Sequence, residues 1–329
     1  MINESPALAR FRRIGTLTIF AVYFLILVGA TVRASGAGMG CPDWPLCFGQ
    51  WIPPTQESQL PANYHEIYAV GYANTTFNAL KTWTEYVNRL VGVTIGLLIL
   101  STLWISRQFL KTDKTIFHLC LGVFFAVGFQ GWLGKAVVAS NLKPWLITAH
   151  MVLAQAIVAA LLYAIVRSQK TRIAQVETAG LPDVFGRWLL IAMGLTLVQM
   201  SLGIQVREAV DTIMAVHQYG ERELWRSEFP LIFYVHRSGS AVVLLCNGWL
   251  VWRMWRALSA GNWLRRCGGI LMGLIAGAIL AGVSMDRLGM PALAQPLHLE
   301  LASLIFGMQF FIYIAYRYSR ERRVYSSRR

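Results

Sequence analysis

Four residues set in apolar surroundings carry the chain's clearest capacity for chemistry. Asn88 precedes His150 by 62 residues, and His236 precedes His298 by the same interval. An ionisable side chain at mid-bilayer costs about 2.5 to 3.5 kcal/mol on insertion scales, so intramembrane histidines are read as functional. Two imidazoles at one depth suit a planar iron macrocycle standing between them, with ring nitrogens as axial ligands. Zinc suits the set less well, because no Cys or carboxylate cluster completes a tetrahedron. His236 and His298 are therefore the candidate axial ligands. In the first pair an amide, a poor iron ligand, stands where the second pair has an imidazole. Glu85 lies three residues before Asn88, on the same helix face and nearer the outside, whereas Phe233 holds the matching position before His236. A closed bis-His iron suits electron transfer or structure. An iron with one weak or empty position, facing a carboxylate, suits chemistry. Arg89 and Arg237, each one residue further on, either meet propionates or snorkel to the interface.

Membrane helices must position these residues. The 329 residues are 56% hydrophobic and 14% charged, with a mean hydropathy of +0.48, which excludes an ordinary soluble domain. Eight apolar runs, near 14–34, 84–105, 115–138, 145–167, 187–206, 231–254, 268–285 and 294–316, approach or exceed the roughly 18 to 20 residues that span a bilayer. Each predicts a helix, since lipid leaves no solvent for unpaired backbone groups. The expected fold is all-α and integral to the membrane, with eight transmembrane helices. No small-residue cleavage site follows the first run, so a removable signal peptide is not expected.

The formal charge of +14 is distributed as topology rather than as a nucleic-acid surface. Twenty of the 30 Lys and Arg fall in the two tails and in the connections after the second, fourth and sixth runs, among them Arg12, Arg107, Lys170, Arg253 and Arg266. The opposite side carries 10 basic and 11 acidic residues, so the positive-inside rule places both termini in the cytoplasm.

Three markers recur in order. "GATVR" ends the first run and "GIQVR" the fifth; "YVNR" opens the second and "YVHR" the sixth; His150 and His298 follow. The last two markers are offset by 148 residues and the first by 174, so the first half carries 26 extra residues in its outer loop. This predicts two parallel four-helix bundles related by an axis along the membrane normal. Residues 1–175 form an N-terminal half with the reacting site and long outer loop, and 176–329 a C-terminal half with the bis-His site. All four marker residues lie about five to seven residues inside an outer helix end, or ~8 to 10 Å below the surface at ~1.5 Å per residue.

The long outer loop contains "GCPDWPLCFGQW", and its compartment favours a Cys41–Cys47 disulfide. Cys120, Cys246 and Cys267 lack metal-ligand spacing and are expected to be inert. Solvated or structural roles suit His65, His118 and His217. Gly128, Gly131 and Gly134 predict close helix contact, within one half in preference to a homo-oligomer.

Together, "GATVRASGAGMGCPDWPLC", the Glu-x-x-His-Arg element represented here by "EYVNR", and His150, His236 and His298 resemble the heme A synthase family over nearly the whole chain. The resemblance implies oxidation of the C8 methyl of heme O to a formyl group in two successive steps, with heme b as cofactor. By the same resemblance, His236 and His298 hold heme b, His150 serves the substrate half, and Glu85 matches the catalytic carboxylate. It also implies a heme O synthase as upstream partner, and an inner (plasma) membrane location follows from the topology. The chain departs from the family at Asn88, where a first-half His is usual, and it lacks a second outer cysteine pair. Its fifth-to-sixth connection, "REAVDTIMAVHQYGERELWRSE", is read instead as a lid or partner surface.

Two other functions share some of these features. A diheme b-type subunit that oxidises quinol would use the same ligands, but it predicts His at position 88 and leaves Glu85 without a task. A transporter fits the repeats and the intramembrane polar residues, yet matched Gly/Pro-broken helices are missing from the sequence. The electron donor or acceptor carries no sequence signature.

Overall fold

The computed structural model describes residues 5–69, 76–217, 225 and 227–326. Eight long helices follow one another: α1 Pro6–Ala34, α2 Ala79–Ser106, α3 Lys114–Ala139, α4 Pro144–Arg167, α5 Phe185–Val216, α6 Leu231–Ala257, α7 Trp263–Arg287 and α8 Ala294–Ser326. No strand occurs among the described residues, and Cys47 and Gln50 make an isolated antiparallel bridge.

Short polar residues start these helices by accepting from otherwise orphaned amides. Ser5 Oγ accepts from Leu8 N at 3.3 Å, Asn78 Oδ1 from Lys81 N at 3.0 Å, Asp113 Oδ1 from Thr115 N at 3.2 Å and Asn262 Oδ1 from Leu264 N at 2.9 Å. Pro6 and Pro144 open α1 and α4, where a missing N–H costs nothing.

Seven helices are long and apolar enough to cross a membrane, which makes this a multi-pass membrane protein. The eighth, α6, has the length at 27 residues but not the apolarity. Its N-terminal half holds His236, Arg237, Ser238 and Ser240, and its C-terminal half Asn247, Arg253 and Arg256. The residues that made α6 chemically interesting also dilute its hydropathy. A second difference is length: α5 continues to Val216, ten residues past the expected apolar run. Charges at its C-terminal end did not stop it, because Arg207 pairs with Asp211 one turn on at 2.8 Å and both remain compatible with helix. Part of the proposed lid therefore belongs to α5, while residues 218–224 and 226 of that stretch lie outside the described residues.

The chain forms two compact units, Met1–Ile157 and Val158–Arg329. The boundary falls within α4. In the first unit α1 packs on α2 and α2 on α3. Buried Thr18 and Thr102 hydroxyls join α1 to α2 at 2.9 Å. Phe20, Phe24, Val93, Leu97 and Trp132 point outward from this unit, a surface suited to hydrocarbon.

In the second unit α5 packs on α6, α6 on α7, α7 on α8 and α8 on α5, a closed ring in which α6 and α8 are diagonal. Its core includes Phe185, Leu189, Leu250, Met254, Leu271, Ile312 and Tyr316. A buried polar chain ties three helices together. Thr196 Oγ1 donates to Gln309 Oε1 at 3.1 Å, and Gln309 Nε2 donates to Asn247 Oδ1 at 2.9 Å. Every member of that chain is satisfied, so it holds the bundle without stranding a polar group.

Candidate functional site

The diagonal of the second unit brings His236 on α6 and His298 on α8 together. Their ring centres lie 6.2 Å apart with planes at 72°. A metal–imidazole bond of ~2 Å and ~1 Å from nitrogen to ring centre, counted on both sides, place two axial imidazoles ~6 Å apart, so the spacing fits one iron between them. His298 Nδ1 lies 2.7 Å from the Ala278 carbonyl. A carbonyl only accepts, so Nδ1 carries the proton and the Nε2 lone pair is left for a metal. The His236 carbonyl accepts from Gln199 Nε2 at 2.5 Å, while His236 Nδ1 is buried without a partner. Among the described residues no group of three or more His, Cys, Asp or Glu could hold a metal ion by protein ligands alone. Two imidazoles suffice for a heme, whose pyrrole nitrogens supply the other four positions.

Each ring is backed by bare backbone. A Cβ on Gly203 of α5 would stand 3.1 Å from His236 Cε1, and one on Gly282 of α7 would stand 3.4 Å from His298 Cε1. The first unit repeats the arrangement. A Cβ on Gly29 of α1 would stand 4.0 Å from Asn88 Oδ1, and one on Gly134 of α3 would stand 3.5 Å from His150 Cε1. Gly134 and Gly282 share the 148-residue offset of the histidines, and Gly29 and Gly203 share the 174-residue offset of the first marker. Sequence reading saw three of these glycines as marker or packing residues and missed their task. The offset itself points to Gly282.

The first unit otherwise differs. Asn88 Oδ1, His150 Nδ1 and Gln130 Oε1 are buried and have no partner, whereas Gln130 Nε2 donates to the His150 carbonyl at 2.9 Å. Gln130 was not singled out from the sequence.

Glu85 and Arg89 hold the loop between α1 and α2. Cys41 and Cys47 are joined in a disulfide. The Cys41 N–H donates to Glu85 Oε2 at 2.8 Å, and Glu85 Oε1 receives Arg89 at 2.6 Å. Arg89 also donates to the carbonyls of Cys41 at 2.8 Å, Asp43 at 2.7 Å and Leu46 at 2.9 Å. Three carbonyls and a carboxylate thus engage one guanidinium, whose planar fork suits that geometry. The Asp43 carboxylate closes the loop by accepting from Phe48 N at 2.6 Å and Gly49 N at 2.8 Å. Gly40 is required by close approach, because a Cβ there would run into the Lys81 carbonyl on α2. Arg89 therefore reads the loop, a role that neither sequence alternative had allowed. Its repeat counterpart, Arg237, is exposed, and its side chain has no hydrogen bond or ion pair among the described residues. Phe233, at the place of Glu85, packs its ring tilted against Phe229 and edge-on to Tyr234.

The remaining residues considered lie apart from these clusters. His65 stands in the short turn Tyr64–Ile67, His118 in the first turns of α3, and His217 2.9 Å from Glu228. Cys120, Cys246 and Cys267 are free thiols.

Comparison with known proteins gives a consistent assignment. A heme A synthase of Shewanella oneidensis is 30% identical over 168 residues, 50% of this chain and 47% of that protein. The chain thus spans about half the length of that relative. Heme A synthases of Allorhizobium ampelinum and Rhodospirillum centenum match more extensively: 24% identity over 88% of this chain and 86% of the relative, and 25% over 86% and 80%. The sequence model of the COX15-CtaA family, described as cytochrome oxidase assembly protein, matches residues 12–310. With that span covered, the chain belongs to the COX15-CtaA family of cytochrome oxidase assembly proteins.

Proposed function

We propose that this protein is a heme A synthase, oxidising the C8 methyl of heme O to a formyl group in two successive steps. Its relatives bear that name, and a heme-binding role follows from it. The finer reading assigns heme b to His236 and His298 and heme O to the unit that holds Asn88 and His150. One observation carries this division of labour. The second unit presents two imidazoles at the spacing of axial ligands, and the first presents an imidazole and an amide.

When bound, heme b would be held by His236 and His298 and would supply one-electron chemistry. The chain's own residues do the rest. His298 is fixed by the Ala278 carbonyl, and the bare backbone at Gly203 and Gly282 lets both rings pack close. Arg237, whose exposed side chain is unengaged, would meet a propionate on this reading. In the first unit His150 offers one axial nitrogen and Asn88 leaves the other side weakly held. Glu85 is the carboxylate of this site and lies one turn outward of Asn88. Each of its oxygens accepts a hydrogen bond, Oε2 from the Cys41 N–H and Oε1 from Arg89, and a proton taken by the carboxylate removes the charge that strengthens both. Proton transfer at Glu85 is thereby tied to the seating of the disulfide loop, which shapes the mouth over the site. Arg89 keeps that loop in register and so serves the substrate unit without touching the heme.

The protein acts in the inner (plasma) membrane with both termini in the cytoplasm and the site toward the outer leaflet. A heme O synthase supplies the substrate, which is too apolar to travel free, and the product serves respiratory oxidases. The diheme quinol-oxidising reading calls for a second bis-imidazole pair, and Asn88 removes it. The deciding experiment supplies heme O to purified protein and analyses the extracted hemes by chromatography. Formyl heme, preceded by the hydroxymethyl species, is expected. Unchanged heme O under turnover conditions, with b-type heme bound in both units, would favour the electron carrier.

A further inference from the structure

We infer that Gln130 is the residue that orients His150, its side-chain oxygen standing in for the backbone carbonyl that orients His298. The inference rests on reading the first unit as the substrate-heme site. Gln130 and Ala278 occupy matching places in the repeat, each 20 residues before its histidine. The matched contacts of Gly134 with His150 Cε1 and Gly282 with His298 Cε1, at 3.5 and 3.4 Å, show that the helix registers agree.

At the second-unit position the solution is closed. The Ala278 carbonyl accepts from Nδ1 and settles both tautomer and ring direction. At the first-unit position it is open. His150 Nδ1 is buried and unpartnered, and so is Gln130 Oε1. The Gln130 amide is already anchored at His150, because its Nε2 donates to that residue's carbonyl at 2.9 Å. An imidazole with a protonated Nδ1 needs an acceptor, and an anchored amide with a free oxygen needs a donor. A turn of the ring that brings Nδ1–H onto Oε1 would satisfy both and leave the Nε2 lone pair for iron.

The difference in acceptor suits a difference in tenancy. A backbone carbonyl cannot retreat, so it fits a ligand that holds its heme permanently. A side-chain oxygen swings away, so it fits a ligand that must let a product leave. Gln130 is a positioning residue on this account, since it acts through His150.

The test uses full-length detergent-purified protein titrated with heme O and followed by visible absorption and by the midpoint potential of the added heme. Gln130→Leu should weaken His150-dependent binding about tenfold or more, the scale on which lost outer-shell partners act. It should also convert part of the added heme to a high-spin form, leaving the His236/His298 signature and the Cys41–Cys47 disulfide intact. Gln130→Glu keeps and strengthens the acceptor but loses the donor that anchors it, so it should recover part of the binding lost in Gln130→Leu and move the potential of the added heme to more negative values. Equal affinity and spectrum for Gln130→Leu and the unmodified protein would overturn the inference. So would failure of Gln130→Glu to differ from Gln130→Leu. If heme O binding to the unmodified protein did not depend on His150 at all, the reading of the first unit would fall first, and the inference with it.

Discussion

In the second unit two imidazoles stand 6.2 Å apart on diagonal helices, and a carbonyl fixes one of them. In the first unit the same layer holds one amide and one imidazole, and three polar atoms there are buried without partners. The units agree where geometry must be kept, with a glycine behind each of the four layer residues. They diverge where polarity is placed. Thr196, Gln309 and Asn247 form the deep tie of the second unit, while Val22 and Ile99 occupy the places of Thr196 and Asn247 in the first, which is tied instead by Thr18 and Thr102. At the outer end the first unit has Glu85 and Arg89 clamped on a disulfide loop, and the second has Phe233 and a free Arg237. On the proposed reading, the two units share the backbone approach that a flat ligand needs and differ in the polar groups that decide whether the ligand stays or reacts.

The largest test of this contrast is removal of a ligand. His236→Ala or His298→Ala should abolish the six-coordinate, low-spin b-type spectrum of the purified protein, and His150→Ala should leave it in place. Loss of that spectrum in His150→Ala alone would exchange the roles of the two units. Next in size is the outer clamp. Glu85→Ala should end formyl-heme production from supplied heme O, and Glu85→Gln should do nearly the same, because an amide leaves Arg89 partly buried without its counter-charge. Arg89→Ala strands the buried Glu85 carboxylate and should cost about 3 to 5 kcal/mol in thermal or denaturant unfolding of the first unit. Arg237→Ala, at an exposed site, should fall within about 0.5 kcal/mol. Equal costs at 89 and 237 would mean that the clamp does not set the units apart.

The offsets that define the repeat were legible because they survive as residue types: His150 and His298 at one spacing, Asn88 and His236 at the same one. The disulfide was legible from its compartment and short span. The task of Arg89 was not, since its partners are backbone carbonyls more than 40 residues away that carry no sequence identity. Gln130 escaped for a related reason. Its meaning lies in the contrast with Ala278, an unremarkable residue whose backbone does the work. The outer end of α5 was hidden by its charges, which end an apolar run without ending a helix.

A smaller effect is expected at the amide itself. Asn88→Ala should retain appreciable turnover, because the substrate iron is held from the His150 side. Asn88→His supplies the imidazole usual in the family and should shift added heme O toward a six-coordinate, low-spin spectrum. If Asn88→Ala were as inactive as Glu85→Ala, the amide would take part directly and the open position would be the wrong description.

The smallest effects, and the ones most specific to the comparison, lie behind the layer. Alanine at a helical glycine gains up to about 1 kcal/mol of helix propensity when there is room for the methyl group. At Gly29 there is room, since the new Cβ would stand 4.0 Å from Asn88 Oδ1, an ordinary contact. At Gly203 there is not, since it would stand 3.1 Å from His236 Cε1, and a ring held by iron cannot give way. Overpacking of that kind costs about 1 to 3 kcal/mol, which outweighs the gain in propensity. Gly203→Ala should therefore lower the melting temperature of the heme-loaded protein and perturb its low-spin band, whereas Gly29→Ala should leave both unchanged or raise the melting temperature slightly. The sign of the difference matters more than its size. A first-unit layer as tightly packed as the second would make both substitutions harmful, and it would argue that Asn88 fills its side of the site instead of leaving it open.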